Sequence, residues 1–349
     1  MRKSRGPVPI STVKVSLLLR ARGLAPLVFV CYACLPGGVV ALDPTRAEVE
    51  SFMADMVREH GFEAGELRKL FDQVETRPKI IEAISRPAER VKPWHEYRDI
   101  FLTDKRIHAG ADFWREQSAD IVAAACESGV PAQVLVAVLG VETFYGRITG
   151  GYRVIDALST LAFDYPPRAE FFRRELEEFL LLTREEQVDP FTVAGSYAGA
   201  MGPPQFMPSS YREYAVDASD DGRRDLFDDW RDVLGSVGNY LAVHGWRAGE
   251  PVAARVRAPD AMRIDPAENR LALGDTVSGL RAKGLQFDTE LPGDAPAMLI
   301  ALEGAAGPEY WVGFNNFYVI TRYNRSAMYA LAVHQLGEEI ARRKDPAHG

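Results

Sequence analysis

The spacing of apolar residues predicts helices over much of the chain. In residues 45–61 the apolar residues recur every three or four positions, and the pattern stops at Gly61. Residues 115–145 carry two such segments, which are broken at Gly129-Val130-Pro131. Further helices are predicted over residues 63–74, 169–187, 227–246 and 326–343. The pattern is therefore typical of a mainly α protein.

After Pro251 the apolar period changes from that of helices to that of short strands. Apolar residues alternate, or occur in short runs between Pro, Gly and Asp turns, over residues 252–258, 269–274, 296–304 and 309–316. We therefore expect a small β-rich unit over residues 251–315. The predicted fold class is mainly α (α+β), with this compact unit ahead of the closing helix.

Residues 1–41 have the pattern of an export signal. Basic residues at the start are followed by an apolar stretch and by the small residues Val39-Val40-Ala41. We expect export of the chain, with cleavage after this stretch. Lipidation at Cys34, which would tether the chain to a membrane, stays open, although Cys31 fits a lipobox poorly. An uncleaved anchor is disfavoured because Pro26 and Pro36 interrupt a short span.

Charge and cysteine content exclude several functions. The 349-residue chain has a net charge of −8, so it offers no general basic surface for nucleic acid. Two of the three cysteines lie in the leader, which leaves Cys126 alone in the mature chain. An internal disulfide and a thiolate metal cluster are therefore excluded. We expect Cys126 to be a small buried apolar residue.

A carboxylate follows the apolar run of residues 134–141. Burial of Glu142 among Leu139 and Val141 would raise the pKa of its carboxyl, and the negative end of the helix dipole would act in the same direction. A carboxylic acid that stays protonated near neutral pH can protonate a glycosidic oxygen. The competing interpretation is a glutamate turned outward or bonded to local backbone, and the pattern alone favours it.

Residues 195–211, GSYAGAMGPPQFMPSSY, indicate a binding loop. Small residues permit close approach of the backbone to a ligand. Gln205 offers an amide donor and acceptor, and Phe206 and Tyr211 offer faces for sugar rings. The alternative is a loop in which Pro and Gly only shape turns.

An acidic segment after residue 216 matches the start of an EF-hand-like calcium loop. The matching positions are Asp217, Ser219, Asp221, Gly222 and, through its carbonyl, Arg223. Either Asp228 at the usual twelfth position or Asp232 in a longer loop would supply the closing carboxylate. An acidic helix entry with Asp caps is the alternative. We favour a structural cation over a sensor, since no second loop accompanies this one.

Several of these motifs, in fixed order, resemble one family, the lytic murein transglycosylases of the B type. The resemblance covers most of residues 95–340. It rests on the segments at 140–150, 157–182, 195–211, 216–228, 235–246 and 316–326. It implies a lysozyme-like catalytic core, a helical domain from both chain ends and a small β domain. The implied boundaries are a leader over 1–41, a helical part over 42–94, the core over 95–250, the β unit over 251–315 and a C-terminal segment over 316–349.

The resemblance also assigns roles to individual residues. Glu142 is implied to be the single catalytic acid/base. The positions implied to line the glycan groove are Arg168, Ser196, Gln205, Phe206, Tyr240, Asn316 and Tyr323. Pro167 replaces one of a pair of arginines at that place, and one extra residue before position 235 favours Asp232 over Asp228 as the closing calcium ligand. No organic cofactor is implied, and a structural calcium ion is.

The implied reaction cleaves the MurNAc–GlcNAc β-1,4 bond of peptidoglycan. Ordinary glycosidases use two carboxylates, whereas the resemblance implies an enzyme that uses only one. Glu142 would protonate the leaving oxygen and then accept the proton of the MurNAc 6-hydroxyl, which attacks C1 of its own sugar to give a 1,6-anhydro end. A hydrolytic muramidase and a non-catalytic peptidoglycan-binding protein remain the alternatives. Expected partners are glycan strands and proteins of wall synthesis or remodelling.

Overall fold

The computed structural model describes residues 40–85, 92–258, 264–266 and 269–344. All of them belong to one compact unit. The predicted leader up to residue 39, with the lipidation site at Cys34, lies outside the described residues. The described part is mainly α with small antiparallel sheets, which confirms the predicted fold class.

Every segment predicted as a helix is helical in the structure, which also has helices and short strands outside the predicted segments. The helices are α1 Ala47–His60, α2 Ala64–Phe71, α3 Pro78–Ile84, α4 Trp94–Phe101, α5 Asp104–Glu116, α6 Ser118–Ser128, α7 Ala132–Thr143, α8 Val154–Asp164, α9 Ala169–Glu185, α10 Pro208–Tyr214, α11 Trp230–Val243, α12 Val277–Ala282, α13 Asn315–Tyr323 and α14 Ala327–Lys344. The strands are β1 Val40–Ala41, β2 Glu75–Thr76, β3 Tyr152–Arg153, β4 Ala194–Gly195, β5 Ala253–Val256, β6 Asp275–Thr276, β7 Pro296–Gly304 and β8 Gly307–Gly313.

Helix α7 is the centre of the larger apolar core. Every residue from Val134 to Val141 is buried, so this helix is apolar on all sides, as a fully enclosed helix must be. Helices α5, α6, α11 and α14 pack around it. The preceding helix α6 ends where Gly129 takes a left-handed conformation with φ 70°, and Pro131 is the N-cap residue of α7. The break therefore lies where the sequence predicts it.

The N-terminal helices are attached through a buried carboxylate on α8. Asp156 has no exposed surface, and its Oδ1 accepts the backbone N–H of Glu75 at 3.0 Å. Its Oδ2 accepts Nε of Arg153 at 2.7 Å. Helix α3 and strand β2 both pack against α8. At the other end of the chain, α14 packs against α4, α5 and α7, so both chain ends contribute helices around the core.

A four-stranded antiparallel sheet lies between α11 and α13, with the strand order β5-β8-β7-β6. Strands β7 and β8 form a hairpin whose register pairs Met298 with Gly313 and Gly304 with Gly307. The sheet has an apolar cluster of its own, which includes Val277, Val312 and Phe314. All four strands fall within the predicted β-rich range.

One of the four predicted strand segments is not a strand. Residues 269–274 form an irregular connection. The side chain of Asn269 donates to the carbonyl of Ala301 at 2.7 Å and accepts its N–H at 2.8 Å. An asparagine amide thus satisfies backbone groups of β7 that a strand would otherwise pair.

Cys126 is exposed, which corrects the expectation that it is buried. It lies on the outer face of α6, four positions after Val122, whose side chain is 56% exposed. The two residues share a helix face because four positions make about one turn. The apolar residues of α6 are therefore buried on only one face of the helix.

No single helix among the described residues is long and apolar enough to cross a membrane. The pair α6 and α7, which are bent by 113° relative to each other, passes the same test jointly on length and composition.

Replacing Gly140 by alanine should destabilise the fold. A methyl group there would lie 2.8 Å from Oη and Cε1 of Tyr145. The Tyr145 ring cannot easily move, because it stacks on Phe113 and its hydroxyl donates to the Arg106 carbonyl at 2.9 Å. We expect a loss of about 1–3 kcal/mol in the free energy of unfolding, measured by chemical denaturation.

The matched control is Gly65→Ala in α2, where no atom lies within 4 Å of the added methyl group. This change should stabilise the protein slightly, by up to about 1 kcal/mol, because alanine favours helices. Equal stability of the two variants would contradict the packing described for the end of α7.

Candidate active site

Glu142 is the penultimate residue of α7 and is half-buried. The chain then leaves the helix through three consecutive left-handed residues, Phe144 with φ 52°, Tyr145 with φ 61° and Gly146 with φ 76°. Two of these residues are not glycine, so the turn is held in a conformation that side chains disfavour. The sharp exit places Glu142 at the end of the buried helix rather than along its side.

A phenol from the closing helix contacts Glu142. The Tyr329 hydroxyl donates to Oε1 of Glu142 at 2.6 Å. Tyr329 is 2% exposed, and its ring stacks on Tyr323 with centroids 6.5 Å apart. Burial, and next the nearby Glu142 carboxylate, raise the pKa of both Tyr329 and Tyr323 well above the usual value. Both phenols therefore stay neutral and can donate hydrogen bonds.

The loop after β4 is fixed by its own turns. Oγ of Ser196 accepts the N–H groups of Ala198 and Ala200 at 3.2 and 3.1 Å. Gly150 has φ 99°, and a Cβ there would lie 2.1 Å from the carbonyl oxygen of Gly195. The segment after α7 and the loop therefore approach so closely that only glycine fits between them.

Three hydrogen bonds attach this loop to the end of α7 and to α13. Thr143 Oγ1 donates to the Pro203 carbonyl at 2.8 Å, and the Tyr323 hydroxyl donates to the Pro204 carbonyl at 2.6 Å. Nε2 of Gln205 donates to the Thr149 carbonyl at 3.1 Å. The carbonyls of Pro203 and Pro204 accept two of these hydrogen bonds. The loop, α7 and α13 therefore form one connected site.

An aromatic cluster supports the loop from below. Phe206 lies 5.6 Å from Tyr240 and 5.8 Å from Tyr323, measured between ring centroids. Phe206 is only 2% exposed, so it packs beneath the loop instead of presenting an open ring face. Burial raises the pKa of Tyr240 to about 12, and its hydroxyl donates to the Arg322 carbonyl at 2.7 Å. Of these three rings, Tyr323 is the most accessible.

Asn316 does not lie where the resemblance places it. Its side chain has no exposed surface, and its oxygen accepts the N–H of Arg247 at 2.8 Å. Its amide nitrogen donates to the carbonyls of Arg247 and Glu250, both at 2.8 Å. Because these bonds hold the chain between α11 and β5, Asn316 has a structural role, and we remove it from the proposed glycan contacts.

Arg168 lies on a 3-10 turn before α9 and is exposed. Its guanidinium is 4.2 Å from the Phe171 ring centroid and 5.2 Å from that of Phe172. These contacts hold the arginine along α9 without taking its charge out of water. A place for Arg168 in the glycan groove stays a prediction.

The acidic loop before α11 is organised by two carboxylates at its ends. Asp217 accepts the N–H groups of Asp221 and Gly222 at 3.1 and 2.8 Å. Asp232, which is 1% exposed, accepts the N–H groups of Ala218 and Ser219 with Oδ1, at 2.8 and 2.9 Å. The same residue accepts the N–H of Asp225 with Oδ2 at 2.8 Å. The loop is therefore closed by carboxylate-to-backbone bonds.

The two candidates for the closing ligand occupy different places. Asp228 is exposed and lines a surface cavity of about 530 Å³ together with Arg223 and Trp230. Asp232 faces the first half of the loop. The all-oxygen donor set fits calcium, but within the described residues no three acidic or histidine side chains converge on one point.

Comparison with known proteins decides the family. A profile of the Transglycosylase SLT domain matches residues 44–338. The chain is also 41% identical over 316 residues to the membrane-bound lytic murein transglycosylase B of Escherichia coli (strain K12), covering 87% of this chain and 85% of that protein. The chain belongs to the Transglycosylase SLT domain family. This membership confirms the resemblance and the lytic transglycosylase activity that it implies.

Solved structures of this family share the fold. The soluble lytic transglycosylase SltB1 of Pseudomonas aeruginosa, in a catenated form, is 52% identical with a TM-score of 0.81, covering 86% of this chain and 98% of that one. Slt35 of Escherichia coli in complex with calcium is 38% identical with a TM-score of 0.79, covering 88% and 96%. SltB3 of Pseudomonas aeruginosa in complex with NAG-anhNAM-pentapeptide is 30% identical with a TM-score of 0.72, covering 84% and 78%.

Tyr329 is a site residue of this transglycosylase that the sequence does not predict. It lies 187 positions after Glu142, on a helix whose apolar pattern marks only a core element. No local signal distinguishes a tyrosine that donates to a distant carboxylate from one that only packs. The contact depends on how α14 crosses the end of α7.

Replacing Tyr329 by phenylalanine should lower the rate of murein cleavage. The change removes the donor to Glu142 while it keeps the ring packed on Tyr323. A hydrogen bond to a charged group contributes about 1.5–3 kcal/mol, so we expect kcat to fall about tenfold, with KM within about twofold of the original value. Steady-state assays of soluble product release measure both constants.

The control is Tyr318→Phe on α13, whose ring lies near the Arg322 guanidinium at 6.0 Å. This variant should keep kcat within about twofold, as expected for a substitution without a lost charged hydrogen bond. A raised KM with unchanged kcat in Tyr329→Phe would contradict a role of the phenol at Glu142.

Proposed function

We propose that Glu142 is the single acid/base of the lytic transglycosylase reaction on peptidoglycan. The observation that carries this proposal is the hydrogen bond of 2.6 Å from Tyr329 to a carboxylate at the end of a buried apolar helix. Electrostatic interactions are stronger in low-polarity surroundings, so the hydrogen-bond partners of a carboxylate there strongly affect proton transfer to and from it. A fixed phenol donor then holds the carboxyl group in one orientation.

The reaction needs one proton to move in two directions. Glu142 donates its proton to the oxygen of the MurNAc–GlcNAc β-1,4 bond as the bond from that oxygen to C1 breaks. The resulting carboxylate accepts the proton of the MurNAc 6-hydroxyl while that oxygen bonds to C1 of the same sugar. Because the nucleophile is tethered, its effective concentration is high and no water is consumed. The products are a 1,6-anhydro-MurNAc end and a regenerated acid.

The tyrosines around Glu142 take no proton in this scheme. Tyr323 and Tyr329 have raised pKa values, so each keeps its hydroxyl hydrogen at neutral pH. Tyr329 steadies the carboxylate that forms after the first transfer, because a donated hydrogen bond favours the charged form. Tyr323 holds the Pro204 carbonyl and thereby the loop that faces the substrate.

We assign the glycan groove to the loop and its neighbours. Ser196 and Gln205 shape the backbone of the loop, and Tyr240 with Tyr323 supports it from below. The half-buried Tyr323 is the ring best placed to contact a sugar, since Phe206 is covered. Arg168, on its exposed turn, is assigned to the periphery of the groove.

Replacing Glu142 by glutamine should abolish cleavage and retain binding of glycan strands. Glutamine preserves shape but cannot supply or accept the proton, so we expect kcat to fall by at least about a hundredfold, the usual minimum contribution of general acid–base catalysis. Mass spectrometry of digested murein measures the product ends, and co-sedimentation with insoluble murein measures binding.

The control is Glu127→Gln, an exposed glutamate in the last turn of α6. It should digest murein normally and leave 1,6-anhydro ends. Cleavage at near-normal rate by Glu142→Gln would disprove the assigned role. Reducing ends without anhydro ends from the original protein would instead identify a hydrolytic muramidase, and a failure of the original protein to cleave would favour a binding protein.

We further propose a structural calcium ion in the acidic loop, and a relative of this chain has been solved in complex with calcium. Asp217, Ser219 and Asp221 would supply side-chain oxygens, and Arg223 a carbonyl. Asp232 would complete the site, because it already faces the first half of the loop. An ion of this kind stiffens a loop whose end, at Asp229, caps α11.

Removal of calcium should lower the melting temperature. A ligand of the native state at a hundredfold its dissociation constant adds about 2.7 kcal/mol to stability. EDTA should therefore lower the melting temperature measured by differential scanning calorimetry, and Asp221→Asn should remove that dependence. Asp228→Asn is the control and should keep it, since Asp228 faces the cavity. A melting temperature unaffected by EDTA would disprove the site.

We propose export to the periplasm, which is supported by the leader at residues 1–41 and by the similarity to the membrane-bound lytic murein transglycosylase B. Lipid attachment at Cys34 remains part of this proposal as the alternative to signal cleavage. The glycan strands of peptidoglycan are the proposed partner there, with wall-remodelling proteins as further partners.

A further inference from the structure

The turn that follows Glu142 is held in a conformation that its own residues disfavour. Phe144 and Tyr145 are left-handed, with φ 52° and φ 61°, and neither is glycine. Residues other than glycine stay in this region only where the surrounding structure enforces it. The contacts that enforce the turn therefore help to determine where the end of α7 lies.

The same turn holds the last residue of α7 by two hydrogen bonds. The last carbonyl groups of a helix have no partner within it, and helix ends tend to fray. The carbonyl of Thr143 accepts the N–H of Ile148 at 2.9 Å, and its Oγ1 accepts the N–H of Gly146 at 3.0 Å. If the turn loosened, it would release Thr143 and the helix end that carries Glu142.

The half-buried ring of Trp230 packs directly against this turn. A Cβ added to Gly146 would lie 2.7 Å from Cη2 and 3.1 Å from Cζ2 of Trp230, so the tip of the indole leaves room only for glycine. The same ring meets Phe113 edge-on with centroids 4.8 Å apart, and Phe113 stacks on Tyr145 at 5.6 Å. Trp230 thus contacts one residue of the turn and supports a second through Phe113.

Trp230 is itself held by the acidic loop. It is the first residue of α11, and Asp229 caps that helix by accepting the N–H groups of Arg231 at 2.8 Å and Asp232 at 3.3 Å. The buried carboxylate of Asp232 accepts three backbone N–H groups of the loop. The indole is therefore anchored to an element other than α7.

A cavity beside the tryptophan makes the size of its side chain important. The surface cavity of about 530 Å³ that Asp228 lines also borders Gly146 and Trp230. Removal of the indole would extend this space to the turn, because the neighbouring structure collapses only partly around a truncated side chain. The turn would then lose packing contacts on that side.

We propose that Trp230 is a positioning residue for catalysis, which holds the turn after α7 and thereby keeps Glu142 at its hydrogen bond with Tyr329. This inference rests on the proposed function, since it concerns the same acid. Trp230 acts through the turn and not on the substrate. Misplacement of a catalytic group by about 1 Å can lower a rate about a hundredfold, so a small relaxation of the turn is sufficient.

The test is a double-mutant cycle between Trp230 and Tyr329 in the full-length protein. Trp230→Ala should lower kcat for murein cleavage about tenfold and leave KM within about twofold, because it displaces the acid and not the groups that bind the strand. If Trp230 acts through the hydrogen bond from Tyr329 to Glu142, the two losses are not independent. Trp230→Ala combined with Tyr329→Phe should then lie within about threefold of Tyr329→Phe alone, whereas independent effects would lower kcat about a hundredfold in total.

The matched control is Trp114→Ala on α5, at a second half-buried tryptophan, whose ring lies 4.9 Å from Nζ of Lys344. It should keep kcat within about twofold of the original value. Circular dichroism establishes that each variant is folded at the assay temperature. Trp230→Phe is a smaller truncation that serves if Trp230→Ala does not fold, and it should lower kcat about threefold with the same dependence on Tyr329.

Three outcomes would overturn the inference. An unchanged kcat in the folded Trp230 variants would show that the turn does not need the indole. Losses that multiply with that of Tyr329→Phe would show that Trp230 does not act through the hydrogen bond to Glu142. A raised KM with unchanged kcat would assign Trp230 to strand binding. Failure of the proposed function is distinguishable, because it would appear as near-normal cleavage by Glu142→Gln.

Discussion

The hydrogen bond between Tyr329 and Glu142 joins the closing helix α14 to the end of the core helix α7. It joins residues 187 positions apart, across the crossing of α14 over the end of α7. A carboxylate at the end of an enclosed apolar helix needs polar partners, since an unsatisfied buried charge is costly. Because those partners come from a distant helix, the site exists only when the chain has folded completely.

The same helix end holds the loop of residues 195–206. Thr143, next to Glu142, donates to the Pro203 carbonyl, and Tyr323, beside Tyr329 in space, donates to the Pro204 carbonyl. The acid, the loop and the C-terminal helices are therefore one connected unit. A movement of α14 would disturb the hydrogen bond to the carboxylate, and a movement of α13 would disturb the hydrogen bond to the loop, so both C-terminal helices support the site.

The sequence predicts features that depend on local chemistry, and it fails where distant segments meet. The break before α7 follows from Gly129 and Pro131, and the β-rich unit follows from alternation after Pro251. Cys126 was misplaced because an apolar helix sequence does not reveal which face is covered. Asn316 was misplaced because its amide bonds the backbone of another segment, a role that a motif match cannot separate from ligand contact.

Two glutamates on core helices show why burial alone does not identify the acid. Glu175 is 5% exposed, and burial raises the pKa of its carboxyl. Both of its oxygens, however, accept bonds from Ser209, from the hydroxyl at 2.7 Å and from the backbone N–H at 3.0 Å. Glu175 therefore binds the start of α10 and has a structural role. It would have to break those hydrogen bonds in order to contact a substrate.

Glu142 differs from Glu175 in its place along the helix and in its donor. It lies at the end of α7, where the chain turns away, and its phenol donor holds one of its oxygens from the side of α14. A phenol with a raised pKa can support either protonation state, because it donates to the carboxylate and remains in place when the carboxyl is protonated. That tolerance of both states is what a group needs if it must release a proton and recover one within a single turnover.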